Sequence, residues 1–147
     1  MDGKTFKKTF SDVACQNGFE HAFGGWFKES NECIVALMLQ RSNYGNYFDL
    51  NIKVFIQGSF GAHYSKSKEL LNGGSEIIFK RQPKEYNHIF NLELPIEDGE
   101  RKEELEKFFR DFVDEFSENS LTKNGIKDLV LDNKILLFPA LKDELGM

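Results

Sequence analysis

Cysteine, proline and long apolar runs are all scarce in this sequence of 147 residues. Two cysteines are too few for a disulfide-stapled scaffold, and no apolar run approaches the roughly 20 residues that a membrane-spanning helix needs. The first residues, Met-Asp-Gly-Lys, lack the basic-then-apolar order of a secretion signal. We therefore expect a cytoplasmic protein in which Cys15 and Cys33 are buried, reduced thiols, with a disulfide or a metal pair as the alternative.

Motifs for catalysis and for metal binding are also absent. His21, His63 and His88 lie far apart in the sequence, and no pair of them has the spacing of a metal site. The segment from Gly58 to Gly61 is one residue short of a nucleophile elbow and lacks the Gly-Lys-Ser/Thr ending of a phosphate-binding loop. We therefore expect no catalytic residues, no metal and no cofactor, which favours a non-enzymatic protein.

Positive charge is outnumbered by negative charge in the C-terminal part of the chain. Residues 1–90 carry 11 basic and 9 acidic side chains, whereas residues 91–147 carry 8 and 15, for a net charge of −5. An acidic C-terminal third argues against nucleic-acid binding, because phosphate contacts need clustered positive charge. It is compatible with a basic protein partner, and a solvated acidic helix surface is the alternative explanation.

Apolar and aromatic residues are plentiful, which predicts one folded domain over residues 1–147. The composition is 40% hydrophobic and includes fifteen phenylalanines. The strongest local pattern runs from Cys33 to Gly58, where two apolar segments flank a polar turn at Ser42 to Asn46. Alternation over residues 48–56 predicts a half-buried strand. This segment therefore predicts an antiparallel strand pair around which the other elements pack.

Helices are predicted near both ends of the chain. Apolar stripes at helical spacing mark residues 4–17 and 98–118, and Ser120 and Pro139 suit the starts of two further helices. Residues 19–28 read as a strand or a small hairpin with Gly24-Gly25 as its turn or bulge, and residues 75–81 as another strand. Together these elements predict an α+β fold, with an antiparallel sheet of about four strands and helices mainly on one face.

The polar residues of the predicted strands form the candidate binding site. If helices cover the apolar row that begins at Phe48, the opposite sheet face is open, and Asn51 and Lys53 lie on it. Such a face can bind a protein or a small polar ligand, or it can simply be solvated. The predicted ligand- or partner-binding residues are the polar groups of this face and of its strand ends, together with an aromatic from the preceding strand: Gln40, Arg41, Asn51, Lys53, Arg81 and Trp26.

Several local features together resemble the bacterial family called domain of unknown function 4304. They are Gly18-Phe19 after a short helix, an aromatic strand, Leu39-Gln40-Arg41-Ser42, a Tyr-Gly-Asn turn and an Asn-bearing strand. The resemblance is clearest over residues 4–58 and fades after Pro83. It implies a cytosolic bacterial protein with an α+β fold, and it brings no established activity and no catalytic residues.

These observations favour a non-enzymatic protein-binding module that contacts neither nucleic acid nor membrane. By analogy with other small acidic bacterial proteins, it could serve as an immunity-type inhibitor of a basic toxin. The alternative is a small polar ligand binder or an unrecognised enzyme that uses the open sheet face.

Overall fold

The computed structural model describes residues 1–147 and contains one sheet of five antiparallel strands, arranged in chain order. The strands are β1 (Glu20–Ala22), β2 (Gly25–Glu29), β3 (Cys33–Arg41), β4 (Phe48–Ile56) and β5 (Ile78–Arg81). The predicted α+β class is confirmed, and so is the strand pair formed by β3 and β4. The sheet has one strand more than predicted, because residues 19–28 form a hairpin rather than one strand.

The turn of that hairpin consists of Phe23 and Gly24. Both have positive φ angles, 55° and 84°, as expected for a two-residue loop that matches the right-handed twist of the flanking strands. Its register pairs His21 with Trp26, and β2 in turn pairs Trp26 with Leu37. The hairpin therefore fixes the face of the sheet on which Trp26 lies.

The β3–β4 register places the alternating apolar row of β4 on one face, which we call the first face. Cys33 pairs with Ile56 at one end and Arg41 with Phe48 at the other. The row is buried and belongs to the main core: Phe48, Leu50, Ile52, Val54 and Ile56. The opposite side, on which Asp49, Asn51 and Lys53 lie, is called the second face below.

Helices near both ends of the chain cover the first face. They are α1 (Gly3–Gln16), α3 (Asn87–Phe90), α4 (Asp98–Phe108), α5 (Asp114–Ser120), α6 (Lys123–Leu131) and α7 (Pro139–Glu144), and each contributes buried residues to the main core. The remaining helix, α2 (Lys68–Asn72), packs on the second face. No helix combines the length and the apolar character that crossing a bilayer requires.

Helix α1 follows from its sequence pattern. The Asp2 carboxylate accepts a hydrogen bond of 2.7 Å from the Thr5 amide and so caps the first turn. Phe6 and Phe10 lie one turn apart and are fully buried. The Phe6 ring stacks on Phe48 with 5.5 Å between ring centres, and this contact seats α1 on the sheet.

The predicted long helix over residues 98–118 is present but interrupted. A π-helical segment, Phe109–Val113, separates α4 from α5. The chain then turns into α6, whose N-cap is Thr122 rather than the predicted Ser120. Gly125 lies in the first turn of α6, where an added Cβ would come within 2.0 Å of the Asn119 carbonyl oxygen. Glycine is therefore required for the close approach of α5 and α6.

The second face is less open than the sequence suggested. Residues from the segment between β4 and β5 cover its middle and form a smaller core with the sheet: Phe27, Ile34, Ala36, Phe55, Leu70 and Leu71. Helix α2 packs tightly on β2, because a Cβ on Gly25 would meet both the Leu37 carbonyl oxygen and a Leu71 methyl group at 2.8 Å. Only the end of the face near Gln40 and Arg81 stays uncovered.

The two cysteines differ in environment. Cys33 is fully buried as predicted, whereas Cys15 is exposed on α1. The prediction that both thiols are buried is therefore wrong for Cys15, because its position falls outside the buried stripe of the helix.

Candidate functional site on the second face

The structure divides the six predicted binding residues between the two sides of the sheet. Four of them lie on the second face: Gln40, Asn51, Lys53 and Arg81. Arg41 and Trp26 lie on the first face, because Arg41 pairs with Phe48 and Trp26 pairs with Leu37, and both of these partners belong to the main core. The expectation that Trp26 joins the open face is therefore wrong, and the candidate site contains fewer residues than predicted.

Gln40, Asn51 and Arg81 form one hydrogen-bonded network. The Asn51 Nδ2 donates to Gln40 Oε1 over 2.9 Å. The Arg81 Nε donates to Asn51 Oδ1 over 3.1 Å, and its Nη2 donates to Gln40 Oε1 over 3.2 Å. Asp49 adds a carboxylate 3.8 Å from Arg81 Nη1. The strand register brings these groups together, since Arg81 pairs with Asn51 across β4 and β5.

Apolar side chains flank the network on the uncovered surface. The guanidinium of Arg81 lies 5.7 Å from the centre of the Phe79 ring, a cation–π distance. Phe79 is 49% exposed, and Met38, the register partner of Asn51, is half-buried. This end of the second face therefore presents the Arg81 guanidinium, the Gln40 amide, an aromatic ring and a thioether together. Asn51 is only 4% exposed, so the expectation that it lies on an open face is wrong, and its role is to hold Gln40 and Arg81 in place.

Cavities border the network but do not enclose its central side chains, Gln40, Asn51 and Arg81. Asp49 and Gln82 line one cavity of 360 Å³ and Phe79 lines another of 450 Å³, whereas the five main cavities are lined by none of Gln40, Asn51, Lys53 and Arg81. Small-molecule sites are concave and enclose most of their ligand. The geometry of this face therefore suits a macromolecular surface better than a small ligand.

Lys53 has a structural position instead of an exposed one. It is only 7% exposed. Its ammonium donates to the Leu71 carbonyl oxygen over 2.7 Å and pairs with Glu76 Oε1 at 2.9 Å. Lys53 therefore fastens the covering segment to the sheet, and the expectation that it lies on an open face is wrong.

Gln82 is a member of the network that the sequence did not indicate. Its Oε1 accepts a hydrogen bond of 2.8 Å from the Leu50 amide, and its Nε2 donates to Asp49 Oδ1 and Asn87 Oδ1 over 3.0 Å. Because Pro83 cannot donate to a ladder, β5 ends before it, and the Gln82 side chain replaces the missing backbone partner. The sequence feature that could have indicated this role is a glutamine placed directly between a predicted strand and a proline.

Arg41 and Trp26 have partners of their own on the first face. The Arg41 guanidinium lies 5.7 Å from the centre of the Phe48 ring and donates to Asn46 Oδ1 over 3.1 Å. The Trp26 indole is buried, and its Nε1 donates to Ser11 Oγ of α1 over 3.0 Å. Both residues therefore lie beside α1, across the sheet from the network.

Titratable side chains do not gather into a metal-binding group. No three His, Cys, Asp or Glu side chains lie close enough together to hold an ion. His88 contacts the Glu104 carboxylate, and His21 stacks on the Trp26 ring with 5.0 Å between ring centres. The candidate site therefore rests on the Arg81 network.

Comparisons with known proteins add no relative from which a role could be transferred. The resemblance to the domain of unknown function 4304 family stays a prediction, and function has to be argued from the geometry of the chain. No family model matches the chain, and neither a curated protein nor a solved structure matches it.

Proposed function

We propose that this chain is a non-enzymatic protein-binding module whose partner docks on the uncovered end of the second face. The observation that supports this proposal best is the fixed position of Arg81, which is hydrogen-bonded to Gln40 and Asn51 and lies over Phe79. Arginine and aromatic side chains are enriched at the centres of protein interfaces. A side chain already held in place also loses less conformational entropy on binding.

The surroundings of Arg81 support a protein partner. None of the main cavities encloses Arg81, and the residue types around it include Met38 and Phe79, which interfaces favour. Tyr44, in the loop between β3 and β4, is 93% exposed and has no packing role. A small polar ligand would need a cavity lined by Gln40 or Arg81, and the main cavities are lined by other residues.

The charge of the chain favours a basic partner. The net charge is −5, and exposed carboxylates follow one another along α4, among them Glu100 and Glu103. A field of one sign raises the association rate with a partner of the opposite sign. An immunity-type inhibitor of a basic toxin fits this combination of a preorganised surface and acidic charge, and the resemblance to a bacterial family is consistent with it.

The test is affinity capture from the source organism with the wild-type chain and with Arg81→Ala. Any captured protein is then purified and titrated against both chains by calorimetry. Loss of the Arg81 side chain is expected to weaken binding by roughly 10-fold or more, the ratio that ~1.4 kcal/mol gives. Arg110→Ala is the matched control, because Arg110 is exposed on the helix layer and carries the same charge.

Two results would contradict the proposal. Equal binding by wild type and Arg81→Ala would place the interface elsewhere. Loss of binding only on charge reversal at Glu100 and Glu103 would assign the contact to the helix layer on the other side of the sheet. The salt dependence of the association rate separately tests the expected basic character of the partner.

A further inference from the structure

A polar cavity lies on the first-face side of the protein, beside α1. It has a volume of 400 Å³ and is formed between α1 and the β1–β2 hairpin. Its chemistry comes mainly from five side chains: Lys7, Lys8, Ser11, His21 and Trp26. The cavity falls within the usual size range for small-molecule sites, and it is separated from the Arg81 network by the sheet.

Two lysine residues that line this cavity have no ion-pair partner within the protein. Neither Lys7 nor Lys8 has a carboxylate oxygen within 4.0 Å. Lys7 Nζ instead lies 5.7 Å from the centre of the Phe48 ring, at the same distance as the Arg41 guanidinium carbon. Positive charge is thus concentrated here in a chain whose overall charge is negative.

Two aromatic side chains that line the cavity are held in place by their contacts. The His21 ring stacks on the buried Trp26 ring with an interplanar angle of 18°. Trp26 Nε1 donates to Ser11 Oγ over 3.0 Å, so the Ser11 hydroxyl acts as acceptor there and its own hydrogen is free to donate. Asp12 is the one carboxylate residue that lines the cavity.

We propose that this cavity binds a small organic phosphate. Two lysine ammonium groups and the free Ser11 hydroxyl hydrogen can donate to a phosphate, whose oxygens accept several hydrogen bonds at once. The exposed His21 ring offers a flat surface on which the organic part can stack. A nucleic-acid strand is less favoured, because the positive charge is confined to one small cavity of an acidic chain.

The chain contains a single tryptophan, Trp26, so its fluorescence reports on this cavity alone. Full-length protein is titrated with AMP, with inorganic phosphate and with adenosine at low ionic strength. Trp26 emission and the ¹⁵N–¹H shift of its indole are followed together. A saturable response to AMP, a weaker one to phosphate and none to adenosine are expected if the phosphate group is recognised.

Variants that remove lysine charge test whether AMP binds in this cavity. The double variant Lys7→Gln/Lys8→Gln is expected to weaken AMP binding by roughly 10-fold or more. The matched control is Lys102→Gln/Lys107→Gln, which removes the same charge from exposed positions of α4 and is expected to bind like wild type. Both pairs are exposed, so neither change should affect folding.

Three results would overturn this inference. The first is the absence of a saturable change in both Trp26 signals with either phosphate-containing probe. The second is equal weakening by the α4 control, which would indicate a general charge effect. The third is binding of a short single-stranded oligonucleotide far more tightly than AMP, which would make the surface a nucleic-acid site.

Discussion

The Arg101 guanidinium donates a hydrogen bond of 2.7 Å to the backbone carbonyl oxygen of Ile89. Arg101 is only 1% exposed, and it also donates to the carbonyl oxygens of His88, Asn91 and Leu94 over 3.1 to 3.2 Å. Burial lowers the pKa of Arg101, while the charges of Asp98 and Glu104 oppose that shift. One buried side chain of α4 thereby ties down α3 and the segment that follows it.

Replacing Arg101 by lysine should therefore destabilise the fold. Arg101 uses Nη1 for the carbonyl groups of His88, Ile89 and Asn91 and Nη2 for that of Leu94. Lysine has only one nitrogen and cannot occupy both positions. Buried carbonyl groups left without donors cost about 1–3 kcal/mol each, so we expect a loss of ~3 kcal/mol in the free energy of unfolding, measured by urea denaturation. Lys102→Ala, at the exposed neighbouring position, should change it little. A stable Arg101→Lys variant would show that water or backbone movement satisfies these carbonyls.

The parts of the fold that were predicted correctly are those with a regular period. Residues 48–56 alternate strictly, so a one-residue slip would have moved the whole row to solvent, and the observed register buries Leu50 and Val54 as expected. The helical stripe from Leu105 to Phe116 is buried for the same reason, apart from the half-buried Phe112. The π-helical segment within it has no signal in the apolar pattern.

The parts that were missed depend on single contacts. The face on which Trp26 lies depends on how the glycines are used. Gly24-Gly25 can form a bulge, or Gly24 can form a two-residue turn with Phe23 as observed, and the sequence permits both. The burial of Lys53 depends on Glu76, more than 20 residues away in the chain, and on a five-residue helix too short to show periodicity. Alternation identified Asn51 as a second-face residue, but its hydrogen bond to Arg81 follows from the β5 register.

The Lys53–Glu76 pair gives a second prediction. Lys53→Met leaves Glu76 without its cation at a site where both side chains are mostly shielded, 9% and 16% exposed. Removing one partner of a buried pair typically costs ~3–5 kcal/mol, whereas replacing both with apolar residues is often neutral. We expect Lys53→Met to lower the free energy of unfolding and Lys53→Met/Glu76→Leu to recover most of the loss in urea denaturation.

The Lys53→Met variant also tests whether the Lys53–Glu76 pair fixes the segment that covers the second face. If Lys53→Met destabilises the protein, amide hydrogen exchange over residues 66–76 should accelerate in the same variant. Lys66→Met is a suitable control, because Lys66 pairs with Glu20 and Glu29 at more exposed positions and should contribute less. Equal effects of the two substitutions would contradict a special role for Lys53.

The two thiols should differ sharply in reactivity. Cys15 is exposed, whereas burial, assisted by the charge of Glu32, raises the pKa of the Cys33 thiol to about 12. Because the thiolate is the reactive form, an alkylating reagent at neutral pH should label one site in the native protein and both sites in urea. Mass spectrometry of the labelled peptides assigns the sites, and Cys15→Ser should remove the fast phase. Labelling of both cysteines at one rate would contradict the buried position of Cys33.

Asp114 gives a prediction about pH. Burial raises the pKa of its carboxyl above the ordinary value of 3.8, Lys28 opposes the shift, and Oδ1 has no hydrogen-bond partner. An acid with a raised folded-state pKa lowers stability as pH rises through the shifted range, and the penalty is absent below the ordinary value. Asp114→Asn should therefore raise the free energy of unfolding near neutral pH, and the gain should vanish as pH falls toward about 3.8.

Urea denaturation between acidic and neutral pH measures this difference. Asp143→Asn is the matched control, because Asp143 is exposed on α7 and forms no ion pair, so its stability curve should follow that of wild type. If Asp114→Asn lowers the free energy of unfolding at neutral pH instead, the attraction between Asp114 and Lys28 outweighs the cost of burying the carboxylate. In that case the carboxylate stabilises the junction between the π-helical segment and α5, and the sign of the pH dependence reverses.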